Sequence, residues 1–142
     1  MKSKFIKPVI TLSMCLGVMI PSILVCGYSK SYVGEFTFSH DIYVGGSDSL
    51  LHGNSFYCAD GNFKLTTRIS KQTNAAQATS EYFYVYVYRK DLLGDTYVAC
   101  GVLNRSGASS ASWKNMKHDN YSFKLTKSKD GCSLKGSVEL EY

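Results

Sequence analysis

Four tyrosines recur at every second position of one segment and are the strongest candidate binding residues of this sequence. They are Tyr82, Tyr84, Tyr86 and Tyr88. Because successive side chains of a β-strand point to opposite faces, all four share one face, and the apolar residues between them share the other. The apolar face is expected in a core, which leaves the tyrosines, common anchors for sugar rings and partner proteins, at the surface. The alternative is a structural role in which the tyrosines cover the solvent-exposed face of the strand and bind no ligand.

A group of lysines near the C-terminus is the second candidate binding feature. The group consists of Lys114, Lys117, Lys124, Lys127 and Lys129. Asp119 is the one acidic residue of the segment between Lys114 and Lys129. They would either dock on an anionic polymer or form a solvated face that guards a sheet edge against aggregation. With Trp113 added, the candidate binding residues are Tyr82, Tyr84, Tyr86, Tyr88, Trp113, Lys114, Lys117 and Lys124.

Recognisable catalytic motifs do not occur in the sequence, which contains neither Gly-x-Ser-x-Gly nor His-Glu-x-x-His. His40 and His118 each precede an aspartate, but adjacent side chains on an extended chain point in opposite directions, so neither pair suits a triad. Glu139 and Glu141 share the polar face of a predicted strand. We therefore predict no catalytic residues and no cofactor, and a protein that is not an enzyme.

A metal site has one candidate, the polar segment 40–53. His40, Asp48 and His52 would converge there if the segment folded back on itself. The aspartates of the chain lack the alternating spacing of a calcium loop. Because polar loops are usually solvated, the prediction is that no metal binds.

Three cysteines, Cys58, Cys100 and Cys132, follow the N-terminal segment, and an odd number leaves at least one thiol unpaired. Alternation places Cys100 with Val102 and Cys132 with Leu134, on faces expected to be core. The Cys100–Cys132 pair is therefore the predicted disulfide. The alternatives are three buried free thiols, or an exposed Cys58 that pairs with another chain.

The N-terminus has the parts of a secretory signal peptide: lysines at the start, an apolar run from Val9 to Val25, and small residues near Gly27. We predict a signal peptide over residues 1–27 and a single secreted domain over residues 28–142, with no transmembrane span in the mature chain. A lipid anchor at Cys26 is the alternative, as is a retained membrane anchor.

The net charge of the whole chain is +5, but three of the basic residues are lysines of the N-terminal segment. The remaining basic excess is small and local, whereas a nucleic-acid-binding protein usually carries a strong basic stripe. We therefore predict no nucleic-acid partner.

The elements that position the candidate residues are predicted to be strands, because β-branched and aromatic residues alternate with polar ones between turn signals. Strands are predicted over 32–38, 42–44, 55–58, 63–69, 81–89, 96–103, 121–127 and 132–142. The polar segments 71–80 and 104–111 are predicted to be loops. Eight short strands in a domain of this length predict an all-β fold, namely an antiparallel β-sandwich of jelly-roll type.

Residues 81–142 resemble the C-terminal half of small secreted β-sandwich modules of Gram-positive bacteria, the pre-peptidase C-terminal and collagen-binding type. The matching residues are the tyrosine strand, Trp113-Lys114-Asn115, Tyr121-Ser122-Phe123-Lys124, and Gly131 and Gly136 before Val138. This chain has His118-Asp119-Asn120 where those modules usually have a glycine before the tyrosine. The resemblance implies a jelly-roll-like fold and an accessory, non-catalytic role, and it transfers no binding residue.

These patterns lead to the hypothesis of a secreted bacterial protein that binds at or outside the cell envelope, through an aromatic sheet face and a lysine-rich edge. Its expected partners are a cell-wall glycan, an anionic envelope polymer or another surface protein. The alternatives are a small secreted toxin or bacteriocin-like antimicrobial protein, and a small extracellular hydrolase.

Overall fold

The computed structural model describes residues 30–45 and 54–142, and it places nine strands and one short 3-10 helix there. The elements are β1 (Ser31–Phe38), β2 (Asp41–Tyr43), β3 (Phe56–Tyr57), β4 (Phe63–Thr73), the 3-10 helix (Ala75–Gln77), β5 (Tyr82–Asp91), β6 (Gly94–Asn104), β7 (Gly107–Trp113), β8 (Asn120–Thr126) and β9 (Ser133–Glu141).

The strands form two antiparallel sheets, which we name sheet A and sheet B. Sheet A has the order β1-β9-β4-β7 and sheet B the order β2-β8-β5-β6, with β3 also paired to β8. If the short β3 is set aside, the pairs nest along the chain as β1 with β9, β2 with β8, β4 with β7, and β5 with β6. Successive pairs alternate between the two sheets. This is the topology of a jelly roll, and the predicted all-β sandwich is confirmed.

The hydrophobic core lies between the sheets and is rich in aromatic rings. Phe63 of sheet A contacts Phe123 of sheet B with their ring centroids 5.0 Å apart, and Phe38 contacts Phe83 at 5.8 Å. Phe63, Phe83 and Phe123 are fully buried. Because burial of one such side chain stabilises a fold by about 1.5–3 kcal/mol, these inward positions hold the two layers together.

Two predicted loops are wrong. Residues 107–113 form β7, and β4 continues to Thr73 before the 3-10 helix, so segment 71–80 is largely ordered secondary structure. β7 lies at the edge of sheet A, and its residues Ala108 and Ser110 face solvent. Its one large side chain, Trp113, enters the core. Its sequence therefore has no hydrophobic alternation, and the pairing with β4 is what makes it a strand.

The predicted signal peptide, including Gly27 and the lipid-anchor candidate Cys26, lies outside the described residues, as do Asp48 and His52. Within residues 30–45 and 54–142, the structure has no helix that is long and apolar enough to cross a membrane.

Candidate functional site

The outer face of sheet B carries the tyrosines predicted from alternation, because Phe83, Val85 and Val87 of β5 are fully buried in the core. Tyr82 and Tyr84 are 47% and 43% exposed, and Tyr86 and Tyr88 are half-buried. We name this surface the aromatic face. It consists of Tyr82, Tyr84, Tyr86 and Tyr88 of β5 with Tyr97, Cys100 and Val102 of β6.

Tyr97 belongs to the aromatic face through a β-bulge, a local insertion of one extra residue in a strand. The register of β5 with β6 shifts between Val87 and Tyr88, so that Val98 is the extra residue and Tyr97 lies opposite Tyr88. A bulge re-aims the side chains that follow it. Tyr97 and Cys100 therefore share one face although simple alternation separates them, which is why the sequence did not reveal Tyr97.

The rings of the aromatic face contact one another in two orientations. Tyr84 and Tyr86 have nearly parallel planes, 21° apart, with centroids 6.3 Å apart. Tyr97 lies edge-on to both Tyr86 and Tyr88, with planes 65° and 70° apart. The surface thus offers ring edges as well as ring faces to a ligand.

A charged pair borders the aromatic face on the side of β8 and β2. Lys124 Nζ lies 2.8 Å from the Asp41 carboxylate and 5.9 Å from the centre of the Tyr43 ring. The hydrogen bond with Asp41 raises the pKa of Lys124. Burial works to raise the pKa of Asp41, but the hydrogen bond and charge of Lys124 outweigh it and lower that pKa. Both groups are therefore charged at neutral pH.

Ser122 lies beneath the rings, on β8 opposite Tyr88. Its side chain is fully buried, and within the described part of the chain its hydroxyl has no hydrogen-bond partner. Buried hydroxyl groups are normally paired, so Ser122 is a point at which the aromatic face is not optimised for stability.

The predicted Cys100–Cys132 disulfide is wrong, because Cys58, Cys100 and Cys132 are all free thiols. Cys132 is buried as expected, but Cys100 is exposed on the aromatic face. The inner face of β6 carries the small residues Ala99 and Gly101 instead. Gly101 lies opposite the buried Val85 of β5, which directs this side of β6 towards the core, and it leaves room for the indole of Trp113.

Trp113, a predicted binding residue, is a core residue that is only 9% exposed. Its indole Nε1 donates a hydrogen bond to the Cys100 carbonyl oxygen at 3.3 Å, and its ring lies 5.7 Å from that of Phe123. The indole closes the corner between β6 and β7. Trp113 therefore supports the back of the aromatic face and does not contribute contact surface.

The lysines do not form the predicted common edge. Lys114 and Lys117 are exposed in the connection between β7 and β8, and Lys129 is exposed between β8 and β9. Lys124 borders the aromatic face. Lys127 is fully buried, so its proposed part in a docking surface is wrong.

Lys127 belongs to a buried ion cluster with Arg105 and Asp130. Lys127 Nζ lies 2.7 Å from Asp130 Oδ1, and Arg105 donates to Asp130 Oδ2 and, from Nε, to the Tyr82 carbonyl oxygen at 3.0 Å. Burial would raise the pKa of Asp130, but the hydrogen bonds from Lys127 and Arg105 outweigh it and hold that pKa far below its usual range. The cluster fixes the start of β5, where the aromatic face begins.

The outer face of sheet A has the opposite character and is mostly polar, although Val33 of β1 is exposed there. Lys64, Thr66 and Arg68 of β4 point outward there, opposite Ser112, Ser110 and Ala108 of β7. Thr66 and Ser110 share a hydrogen bond of 2.9 Å, and Lys64 Nζ lies 2.7 Å from the Glu141 carboxylate.

Of the two histidines predicted as poor catalytic candidates, His118 is exposed in the connection between β7 and β8, and His40 lies in ordinary structural contacts. His40 Nδ1 is 2.7 Å from the Lys127 carbonyl oxygen, and its Nε2 is 3.7 Å from Asp41. Among residues 30–45 and 54–142, no three His, Cys, Asp or Glu side chains are arranged to hold a metal ion.

Neither protein-family models nor curated proteins match this chain. Among solved structures, the chain is similar to the crystal structure of PliG of Aeromonas hydrophila, a periplasmic lysozyme inhibitor of g-type lysozyme. The similarity covers 81% of this chain and 86% of that one, with a TM-score of 0.39 and 11% identity. At this distance the similarity transfers no function.

Proposed function

We propose that this protein is a non-catalytic binding protein that acts outside the cytoplasm and recognises another protein through its aromatic face. The contrast between the two outer faces supports the proposal. Sheet A presents mostly charged and hydroxyl side chains, with Val33 of β1 as an exposed apolar exception, whereas sheet B presents tyrosines, of which Tyr82, Tyr84 and Tyr97 are 43–54% exposed. Aromatic residues are enriched in protein interfaces, and a cluster of them on one side of a domain is a typical contact surface.

The ring orientations favour a protein partner over a cell-wall glycan. Stacking on a flat polysaccharide uses ring faces that lie in one plane, whereas Tyr97 stands at 65° and 70° to Tyr86 and Tyr88. Edges and faces together suit the varied side chains of a protein surface. The Asp41–Lys124 pair adds a polar rim, as protein interfaces usually have.

Export and the absence of catalysis are the other parts of the proposal. The basic start and apolar run of residues 1–27 support export through a signal peptide. The resemblance of residues 81–142 to accessory modules supports a role without catalysis. The lysine-rich edge is not part of the proposal, because Lys127 is buried and Lys124 alone of the candidate lysines borders the aromatic face.

The test is a retention experiment with the double variant Tyr84→Ser/Tyr86→Ser. Wild type and variant are immobilised and incubated with envelope proteins of the producing organism, and in parallel with purified cell-wall glycan. We expect a defined protein to be retained by the wild type and lost with the variant, since interface tyrosines often contribute 2 kcal/mol or more, about thirty-fold in affinity.

The matched control is Thr66→Ala/Ser110→Ala, which removes two outward side chains from sheet A. It should retain the same protein as the wild type. Equal retention by the tyrosine variant, or retention of glycan in place of protein, would contradict the proposal.

A further inference from the structure

Three basic side chains gather at one end of the outer face of sheet A. Lys71 of β4 lies directly opposite Lys135 of β9, and Arg68 occupies the preceding outward position of β4. All three are exposed, and across the described ranges 30–45 and 54–142 none of them forms an ion pair with a carboxylate. The other two arginines of the chain, Arg89 and Arg105, are both ion-paired.

The pairing of Lys71 with Lys135 works against stability, because like charges directly opposite each other on a sheet repel. At the other end of the same two strands, Lys64 lies opposite Glu141, and their charged groups are 2.7 Å apart. Strands β4 and β9 thus carry complementary charges at one end and matching charges at the other. Proteins depart from such rules of stability mainly at functional sites.

A second β-bulge, in β4, brings Lys71 to this face. The register with β9 shifts between Ile69 and Lys71, so that Ser70 is the extra residue. Strict alternation after Arg68 would turn Lys71 inward, whereas the bulge re-aims it outward, opposite Lys135. The Ser70 hydroxyl donates a hydrogen bond to the Lys135 carbonyl oxygen at 3.2 Å, which fastens the bulge to β9.

Gly136 provides the space that this bulge needs. A Cβ at position 136 would overlap the Arg68 carbonyl oxygen, because β4 and β9 approach each other closely here. The backbone of the two strands therefore fixes the positions from which Arg68, Lys71 and Lys135 project.

A shallow depression of about 210 Å³ lies among these side chains, and Arg68, Ser70, Lys135 and Ser137 are among its lining residues. Glu35 of β1 also lines it, opposite Ser137. With Lys71 at the rim, three basic side chains and one acidic side chain surround the depression in the described part of the chain. The excess of positive charge indicates an anionic ligand.

We propose that this depression binds a phosphate group through Arg68, Lys71 and Lys135, and we name it the basic depression. The guanidinium of an arginine matches two phosphate oxygens at once, and each lysine adds a point charge. A phosphate monoester carries about 1.5–2 negative charges at neutral pH, which matches the excess of positive charge better than a single carboxylate does. The hydroxyl of Ser137 is a further donor beside the three cations.

The basic depression lies on sheet A, whereas the aromatic face lies on sheet B. The inference is therefore independent of the proposed function, and the two stand or fall separately. Tyr84→Ser/Tyr86→Ser should bind phosphate as the wild type does.

The experiment titrates sodium phosphate into the full chain at constant ionic strength and follows the backbone amide resonances by NMR. We expect saturable shifts at residues 68–71 and 135–137, and we expect Arg68→Gln/Lys71→Gln to weaken phosphate binding about ten-fold or more. The matched control, Lys114→Gln/Lys117→Gln, removes the same charge from two exposed lysines of the connection between β7 and β8. It should bind phosphate as the wild type does.

Thermal unfolding gives a second readout. In sodium chloride, Lys71→Gln should melt about 1–3 °C above the wild type, because it removes the repulsion with Lys135. Replacing chloride by phosphate should raise the melting temperature of the wild type, because a ligand of the folded state stabilises it, and should leave that of Arg68→Gln/Lys71→Gln unchanged.

The inference is overturned if no saturable shift occurs at the basic depression, or if Arg68→Gln/Lys71→Gln responds to phosphate as the wild type does. It is also overturned if the lysine control loses binding equally, or if sodium acetate produces the same shifts. Vesicles of phosphatidylcholine and phosphatidic acid distinguish the sources of the phosphate group. Cosedimentation that Arg68→Gln/Lys71→Gln loses identifies a lipid headgroup, and phosphate binding without cosedimentation identifies a soluble ligand.

Discussion

Tyr86 of β5 and Cys100 of β6 lie opposite each other on the outer face of sheet B. Cys100 is an exposed free thiol surrounded by tyrosines, and its hydrogen bond with Tyr97 raises the pKa of the Tyr97 phenol. The bulge at Val98 is what brings these three side chains to one face. The exposed thiol of Cys100 can therefore be labelled chemically in the middle of the aromatic face.

The first prediction concerns thiol reactivity in the folded protein. A maleimide should label Cys100 rapidly, whereas Cys58 and Cys132, both fully buried, should be labelled only after unfolding. Burial also raises the pKa of Cys58, which lowers its thiolate fraction. Peptide mass spectrometry after short labelling, with and without denaturant, checks this. Rapid labelling of Cys132, or a disulfide between Cys100 and Cys132, would show that the assignment of faces on β6 is incorrect.

The second prediction concerns the buried ion cluster. Asp130→Asn leaves Lys127 and Arg105 buried without their counter-charge, and we expect it to lower the free energy of unfolding by about 3–5 kcal/mol. Urea unfolding monitored by the fluorescence of Trp113 measures this. Asp60→Asn is the matched control, because Asp60 is exposed.

The same cluster predicts a pH dependence of stability. Because the pKa of Asp130 is lower in the folded than in the unfolded protein, its contribution is complete above the unfolded pKa of about 4 and is lost as the pH falls towards the folded value. Below about pH 4 the contribution of Asp130 falls by roughly 1.4 kcal/mol per pH unit. Asp130→Asn should flatten this part of the profile, and an unchanged slope would argue against the cluster.

The third prediction concerns Gly101, which lies on the inner side of β6 behind the aromatic face. A Cβ at Gly101 would overlap Ala111 and contact the ring of Trp113 and the side chain of Val85. We expect Gly101→Val to destabilise the protein by about 1–3 kcal/mol through overpacking. Thermal unfolding of both variants measures this, and Ala108→Val, at an exposed position of β7, should have little effect on the melting temperature. Equal melting temperatures for Gly101→Val and the wild type would mean that Trp113 does not occupy this corner.

β5 shows how far the sequence alone predicts this structure. Its strict alternation of tyrosine with Phe83, Val85 and Val87 was sufficient to assign both faces, because its neighbours β8 and β6 lie in the same sheet and its inner side meets the core. The sandwich also followed from the number and spacing of such strands.

β6 and β7 show what the sequence did not reveal. On β6 the bulge at Val98 breaks the alternation, and Gly101 faces the core because it pairs with the inward Val85 of β5, next to the indole of Trp113. β7 has small and polar residues, and its pairing with β4 defines it. Such features depend on contacts between segments distant in the chain. A local pattern therefore could not assign Cys100, Trp113 or Lys127 correctly.

Blocking Cys100 tests directly whether the aromatic face is the interface. A bulky maleimide is attached to Cys100 and, in a second protein, to Ala108→Cys in a Cys100→Ser background, which places the same label on the outer face of sheet A. Labelling sites are verified by peptide mass spectrometry, and the affinity of both proteins for the retained envelope protein is measured. If the aromatic face is the interface, the label at Cys100 abolishes binding and the label at position 108 leaves it unchanged. Unimpaired binding with Cys100 blocked would contradict the claim.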